Sequence, residues 1–378
     1  MAKGGLHDHL QGGFFRYCVD SSWRIPHFEK MLYDQAMLLW TYSLGFRIFG
    51  GRFYKNVASR IVSSLEVFAD NDLYYSATDA DTDHQEGATY LWTRDELKKF
   101  LSRDEWRRFT KVYDLSEDNE FEGKLHLVKK TKDFLPNIER KLIRVRNNRV
   151  QPEKDKKIIT SWNALLGIAF LVAGRYLQSE PFNQKGMMLY QKLLAKHWDG
   201  EKLAHSSLGE QLQKEGFLED YASVLLLSTY IHEDTFKERS LILKLKQKVL
   251  EFFKDGRWME SIGNVDFQPV ESSGFDHPTP SSISLAEEGL RRAALILGEI
   301  DERPLGYKSP LSSDFYNLVV FYKSGNFHEI QAKEKIRHTL LPANLIQLKS
   351  DRYRDCFQKQ CREFKTQDDL LNFLNEQR

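Results

Sequence analysis

Three cysteines in 378 residues, Cys18, Cys356 and Cys361, are too few for a disulfide-stapled scaffold. Their spacing is neither a CxxC redox pair nor a four-ligand zinc pattern, and it fits a reducing, cytoplasmic setting. An excess of one charge is also lacking: Lys and Arg number 55, Asp and Glu 54, and the formal net charge is +1. Without a broad basic field the chain is not built to hold nucleic acid or an anionic membrane, which leaves small molecules or proteins as partners. Long hydrophobic runs are missing as well. The most apolar stretch, Ile158 to Gly174, is interrupted by Ser161, Trp162 and Asn163 and falls short of the roughly 20 residues a membrane span needs, so it reads as a buried helix. The opening MAKGGLHDHLQGG has no apolar signal-peptide core.

What is present is concentrated first between Gly12 and Asp34, GGFFRYCVDSSWRIPHFEKMLYD. Gly12 and Gly13 admit backbone angles that other residues resist, and Phe14, Phe15, Tyr17 and Trp23 supply flat apolar faces. Pro26 suits a first helical position, which predicts a helix from about His27 to Phe49 with His27, Lys30 and Asp34 on one face and Glu29 beside Tyr33. Acids, bases and hydrogen-bonding groups then gather at a helix end that favours anions. Gly50 and Gly51 break the pattern before a second amphipathic helix that runs to about Ala69. LYYSATDADTDHQEGATYLW alternates aromatic and small residues around an acidic turn, as a short hairpin or structured loop does. Asp79, Asp81, Asp83 and Glu86 lack the offsets of a calcium loop, so they are read as a solvated loop or a rim of the site, with Asp79 and Asp81 as ligand contacts in the second case, and no metal is assigned. TRDELKKFLSRDEWRRFTKVYDL is a helix opened by Thr93 and interrupted near Ser102. The basic KLIRVRNNR is a solvated face.

From residue 155 onward apolar and amphipathic helices alternate. KKIITSWNALLGIAFLVAGRYL and EGFLEDYASVLLLSTYIHE are apolar; PFNQKGMMLYQKLLAKHW and the segment from Thr235 to Phe253 are two-faced; TPSSISLAEEGLRRAALIL adds another helix. Pairs of this kind at about 40 to 60 residues predict nested helical layers, that is, an α/α toroid. Its inner helices begin in clusters of functional type: His27 and Glu29; Ser161, Trp162 and Asn163; Glu219, Asp220 and Tyr221; Asp276, His277, Ser281 and Ser284. Carboxylates and aromatics at helix N-termini suit a polyhydroxylated, carbohydrate-like small molecule. The toroid is expected over residues 1–300. Residues 301–378 are expected to form its last hairpin or a small α/β appendage, with DFYNLVVFYKS and ANLIQLKSD as strands and TQDDLLNFLNEQ as a closing helix capped by Thr366.

These motifs resemble the spermatogenesis-associated protein 20 family, whose members join a thioredoxin-like domain to a six-hairpin, glycosidase-like toroid. GGFFRYCVDSSWRIPHFEKMLYD carries the likeness, supported by ATDADTDHQEG, DKKIITSWNALL and GFLEDYA. The resemblance implies an (α/α)6-type fold that begins inside the ring, short of its first hairpin and without the thioredoxin-like domain. The family's Pro-Ser-Gly-Asn stands here as Pro280, Ser281, Ser282 and Ile283, and its paired acids before TSWN are reduced to Asp155 and Lys156. By fold analogy a carbohydrate-active enzyme is implied, with no cofactor. An epimerase or isomerase needs an acid and a base, for which His27 and His277 are candidates; a glycoside hydrolase needs two carboxylates, drawn from Asp20, Glu29, Asp220 and Asp276. Arg16, Tyr17, Trp23, Tyr33, Asp34, Asp79, Asp81, Trp162, Asn163, Glu219 and Tyr221 are the expected ligand contacts. The alternative is a non-catalytic module that binds a carbohydrate or a protein and works with a separate thioredoxin-like partner.

Overall fold

Burial with a period of two governs residues 26–30: Phe28 and Lys30 point inward, and Glu29 between them is partly open. In the computed structural model, which describes residues 1–263, 268–301 and 314–376, this stretch is extended. Pro26–His27 pairs antiparallel with Tyr17–Cys18, and Lys30–Met31 pairs with Ala77–Thr78, which in turn pairs with Lys154–Asp155. The expected helical start at His27 is therefore corrected. Backbone groups that a helix would use are taken by strand partners, and Phe28 is drawn in against Phe15, Tyr90 and His126 at centroid distances of 5.3, 5.7 and 5.2 Å. Helix α1 begins at Leu32 and runs to Phe49.

Chain contacts divide into two units, Met1–Tyr42 with Gly50–Lys157, and Ser43–Phe49 with Ile158–Arg378. In the first, Gly12 and Gly13 adopt φ of 91° and 75°. A Cβ on Gly12 would lie 2.2 Å from the Arg60 carbonyl oxygen, so only glycine fits there. Helix α2 (Arg52–Ser64) follows the predicted Gly50–Gly51 break. Helices α3 (Arg94–Phe100) and α4 (Arg103–Val112) are separated at Ser102, and each opens with a reciprocal cap, Thr93 with Glu96 and Ser102 with Glu105. With α5 (Pro136–Arg146) they enclose a core of Trp92, Leu97, Phe109, Tyr113, Leu125 and Leu142. The acidic turn is a tight hairpin, Asp81–Thr82 against Gln85–Glu86, with Asp83 and His84 both at positive φ as a two-residue turn of this hand requires.

Buried charges in this unit are matched. Asp8 accepts from Lys30 Nζ at 2.7 Å and from both terminal nitrogens of Arg146 at 2.8 and 2.9 Å. Glu139 accepts from Lys129 at 2.7 Å, from Arg60 at 2.8 Å and from the Tyr113 hydroxyl at 2.7 Å.

The second unit contains the predicted alternation. Helices α6 (Thr160–Tyr176), α8 (Leu218–Thr235) and α10 (Ser282–Leu297) are buried almost all round, whereas α7 (Glu180–His197) and α9 (Arg239–Glu251) bury one side. Helix α6 packs on α7 and α8, and α8 on α9 and α10. Close approach of α6 and α7 depends on Gly174, where a Cβ would stand 2.1 Å from the Asn183 side-chain amide. A second correction concerns DFYNLVVFYKS: it is helix α11 (Asp314–Lys323), not a strand. Tyr316 and Val319, three apart, are its buried stripe, and helical packing overrides the β-preferring composition.

Beyond it, strands order as 345–349, 328–332, 353–357 and 360–364, the first pair parallel and the others antiparallel. Helix α12 (Gln367–Glu376) closes the chain behind a reciprocal Thr366–Asp369 cap. Cys356 and Cys361 face each other on the last hairpin and are disulfide-bonded, a pairing that chain spacing alone did not reveal. Among the described residues no helix is long and apolar enough to cross a membrane.

Candidate functional site

In the second unit the first turn of α8 brings Glu219 and Asp220 together with His205 and Glu260. Asp220 caps its own helix by accepting the Phe217 N–H at 3.0 Å, and its other oxygen accepts the Ser161 N–H at 3.2 Å, at the start of α6. His205 stands just before the strand Ser206–Leu208, which pairs with Ile158–Ile159. Its backbone is tied on both sides: its N–H donates to Gln213 and its carbonyl accepts from Thr160. So anchored, the ring places Nδ1 2.9 Å from Asp220 Oδ2 and 3.7 Å from Glu219 Oε1. The Glu219 N–H donates to Glu260 Oε1 at 3.3 Å, and Glu260 Oε2 accepts the Ser272 hydroxyl at 2.7 Å.

Exposure separates the roles. The Asp220 side chain is 0% exposed, His205 24% and Glu219 33%, so ligands can reach the last two and not the first. Burial pushes the Glu219 carboxyl up to about 7; the charges of Asp220 and Glu260 add to this and His205 opposes it. Burial alone would lower His205, but the hydrogen bond and charge of Asp220, with Glu219 and Glu260 behind it, outweigh that and hold its proton. One ligand atom from each of His205, Glu219 and Asp220 lies within 4.8 Å of the others.

In the first unit the hairpin around residues 17–27 presents a different set. Tyr17 is 50% exposed and stacks on His27 at 5.0 Å. His27 Nδ1 lies 2.6 Å from Glu86 Oε1, and Arg16 pairs with Glu29 at 2.8 Å. Trp23 is 45% exposed at φ 62°, held by Asp20, which accepts the N–H groups of Ser22, Arg24 and Ile25. Burial pushes Asp34, on the first turn of α1, up to about 7, with Arg16 opposing and Glu29 adding; its Oδ2 is buried without a hydrogen-bond partner. Tyr33 beside it is buried.

Other expected contacts serve the backbone. Asn163 donates to the Ile159 carbonyl at 3.0 Å, the Tyr221 hydroxyl accepts the Leu203 N–H at 3.0 Å, and Asp276 accepts from Ser281 and Phe315, both at 2.9 Å. Asp79 accepts the Asp81 N–H at 3.2 Å, and both are exposed on their turn. Trp162 is half-buried. His205 and Glu260 escaped the sequence reading because one stands just before a connecting strand and the other on one, with no helical period or cap; the one available signal was that Asp220, in an apolar helix, needed a partner.

No protein-family model matches the chain. Over 313 residues it is 30% identical to spermatogenesis-associated protein 20 of Mus musculus, covering 68% of this chain and 40% of that protein. With the Rattus norvegicus protein it shares 28% over 365 residues, covering 80% and 46%. The chain is a distant homologue of spermatogenesis-associated protein 20. It spans less than half the length of those two relatives. Among solved structures, it is similar to cellobiose 2-epimerase from Bacillus thermoamylovorans, with a TM-score of 0.47 and 14% identity over 83% of this chain and 65% of that one.

Proposed function

We propose that this homologue of spermatogenesis-associated protein 20 is a carbohydrate-active protein of the six-hairpin α/α toroid type, and that His205 and Glu219 form its acid–base pair. The observation that carries this reading is the line Asp220, His205, Glu219, in which a fully buried carboxylate orients an imidazole beside a carboxyl poised near neutrality. Proton transfer next to a sugar carbonyl, as in epimerisation or isomerisation, fits better than glycoside hydrolysis. Hydrolysis asks for two carboxylates facing the sugar, and Asp220 is buried with both oxygens committed to N–H donors. In the proposed step His205, protonated and held by Asp220 through Nδ1, donates toward the carbonyl oxygen from Nε2. Glu219, whose carboxyl is pushed up to about 7, takes the proton from the neighbouring carbon in its ionised form.

The test is deuterium uptake at carbon 2 of mono- and disaccharides incubated with the protein in heavy water, read by NMR. Uptake that falls at least about 100-fold in a folded Glu219→Gln variant is expected. Uptake unchanged in that variant, or absent with every sugar tried, would remove the proposal. A second reading, a non-catalytic module that holds a sugar or protein ligand for a thioredoxin-like partner, is favoured by the open rings of Tyr17 and Trp23, which suit stacking better than chemistry. Sugar-dependent rise of the melting temperature without any isotope uptake would select it.

A further inference from the structure

The last hairpin carries a bridge that the fold does not need. Cys356 and Cys361 sit at directly opposed positions of the strands 353–357 and 360–364, five residues apart around the Gln358–Lys359 turn. That turn already adopts positive φ at both residues, 48° and 63°, and the hairpin register runs through five pairs. The inner strand is further paired with 328–332, and its Asp355 meets His328 at 3.0 Å. The outer strand ends where Phe364 packs on Phe373 of α12 at 5.2 Å. A ring this short removes little freedom from the unfolded chain compared with long ones, so the bridge adds little to a hairpin fastened in these ways. It is also within reach: Cys361 is exposed and Cys356 half-buried.

We infer that this disulfide is a reversible redox modification site, opened by small or protein dithiols at Cys361 and closed again by Cys356. A thiolate of the dithiol attacks Cys361 Sγ. The bond between the two cysteine sulfurs breaks, and its electron pair leaves on Cys356 Sγ, which takes up a proton. The second thiolate of the reductant then displaces Cys361 from the mixed disulfide. Two electrons have passed to the protein, and the dithiol departs as a disulfide. With a monothiol, Cys356 stands opposite the adduct and expels it, so the parent chain returns to the bridged form. Cys18 takes no part: burial first, and then the charge of Asp20, push its thiol up to about 11.

Peptide mapping of the full chain by mass spectrometry tests this. Dithiothreitol in native buffer is expected to convert the 356–361 bridge to two alkylatable thiols with unchanged circular dichroism and a melting shift of no more than a few degrees. Oxidised glutathione is expected to leave a stable adduct on Cys361 in a Cys356→Ser chain, at least tenfold faster than on Cys356 in a Cys361→Ser chain, and none in the parent. A bridge that opens only in denaturant, a pair that stays unbridged in oxidised glutathione, or equal adduct rates in the two variants would each overturn the inference.

Discussion

Asp8 and Asp220 are both buried aspartates tied by short hydrogen bonds, and their surroundings drive them in opposite directions. Burial pushes each one up. For Asp8 the two cations Arg146 and Lys30 outweigh it and hold the carboxyl well below its usual range. For Asp220 the opposing groups are His205 and two backbone N–H groups, and burial prevails, so the carboxyl stays above its ordinary range. A carboxylate fixed by permanent cations is a fastener, while one opposed by a group that itself titrates can exchange protons near neutrality. Burial is therefore a poor guide to role. The permanence of the partner's charge decides it.

The largest effect that could break this contrast belongs to the fastener. Asp8→Asn leaves Lys30 and Arg146 buried without their counter-charge and should cost about 3–5 kcal/mol, read by urea unfolding of the full chain. A loss below about 1 kcal/mol would show that the cations relax into water and that Asp8 is no fastener. Asp220→Asn should cost less, about 1–2 kcal/mol, because an amide oxygen still accepts from the backbone. Its sharper readout is the His205 midpoint in an NMR titration, which should fall once the carboxylate is gone; an unmoved midpoint would place the origin of that shift elsewhere.

A third variant carries the contrast into the first unit. Asp34, with a folded value of about 7 against an ordinary 3.8, keeps a proton between roughly pH 4 and 7 that the unfolded chain releases. Its contribution is thus fully present at the acid end of that window and is lost as pH rises through about 7, by on the order of 1–3 kcal/mol after allowing for partial exposure. Asp34→Asn should flatten that part of the stability profile; an identical slope in parent and variant would dismiss the buried, unpartnered oxygen as its cause. The smallest change expected is at Glu260. Glu260→Gln removes one of the charges that raise Glu219, so the Glu219 midpoint should move down from about 7 in a carboxyl-carbon NMR titration.

Helices with caps and a clear apolar stripe were legible from sequence. Thr93 and Thr366 marked real starts, Ser102 a real interruption, and the alternation of all-buried with one-sided helices after residue 158 follows directly from composition. The stretch from Pro26 to Met31 was not legible, because a proline before charged residues reads as a helix start, and it is pairing with strands 17–18 and 77–78 that makes it extended. The candidate site was half legible. Glu219 and Asp220 announce themselves at the head of an apolar helix, whereas His205 and Glu260 are brought to them by pairings the local sequence does not encode. The hairpin cysteines show the same limit, since five residues of separation become contact only once the turn and its register are known.

The crowding around Glu219 has a practical consequence. A carboxyl that changes state near pH 7, while surface acids remain ionised, is a spectroscopic label already built into the chain. Protonated and ionised carboxyls absorb in separate parts of the infrared, so a difference spectrum across neutrality would report this side chain together with the other raised carboxyls, Asp34 and Asp220 among them, without any dye or isotope. Glu219→Gln and Asp34→Asn would each remove one band and so assign it, and a ligand that binds at the proposed site would move the Glu219 band and leave that of Asp34 in place.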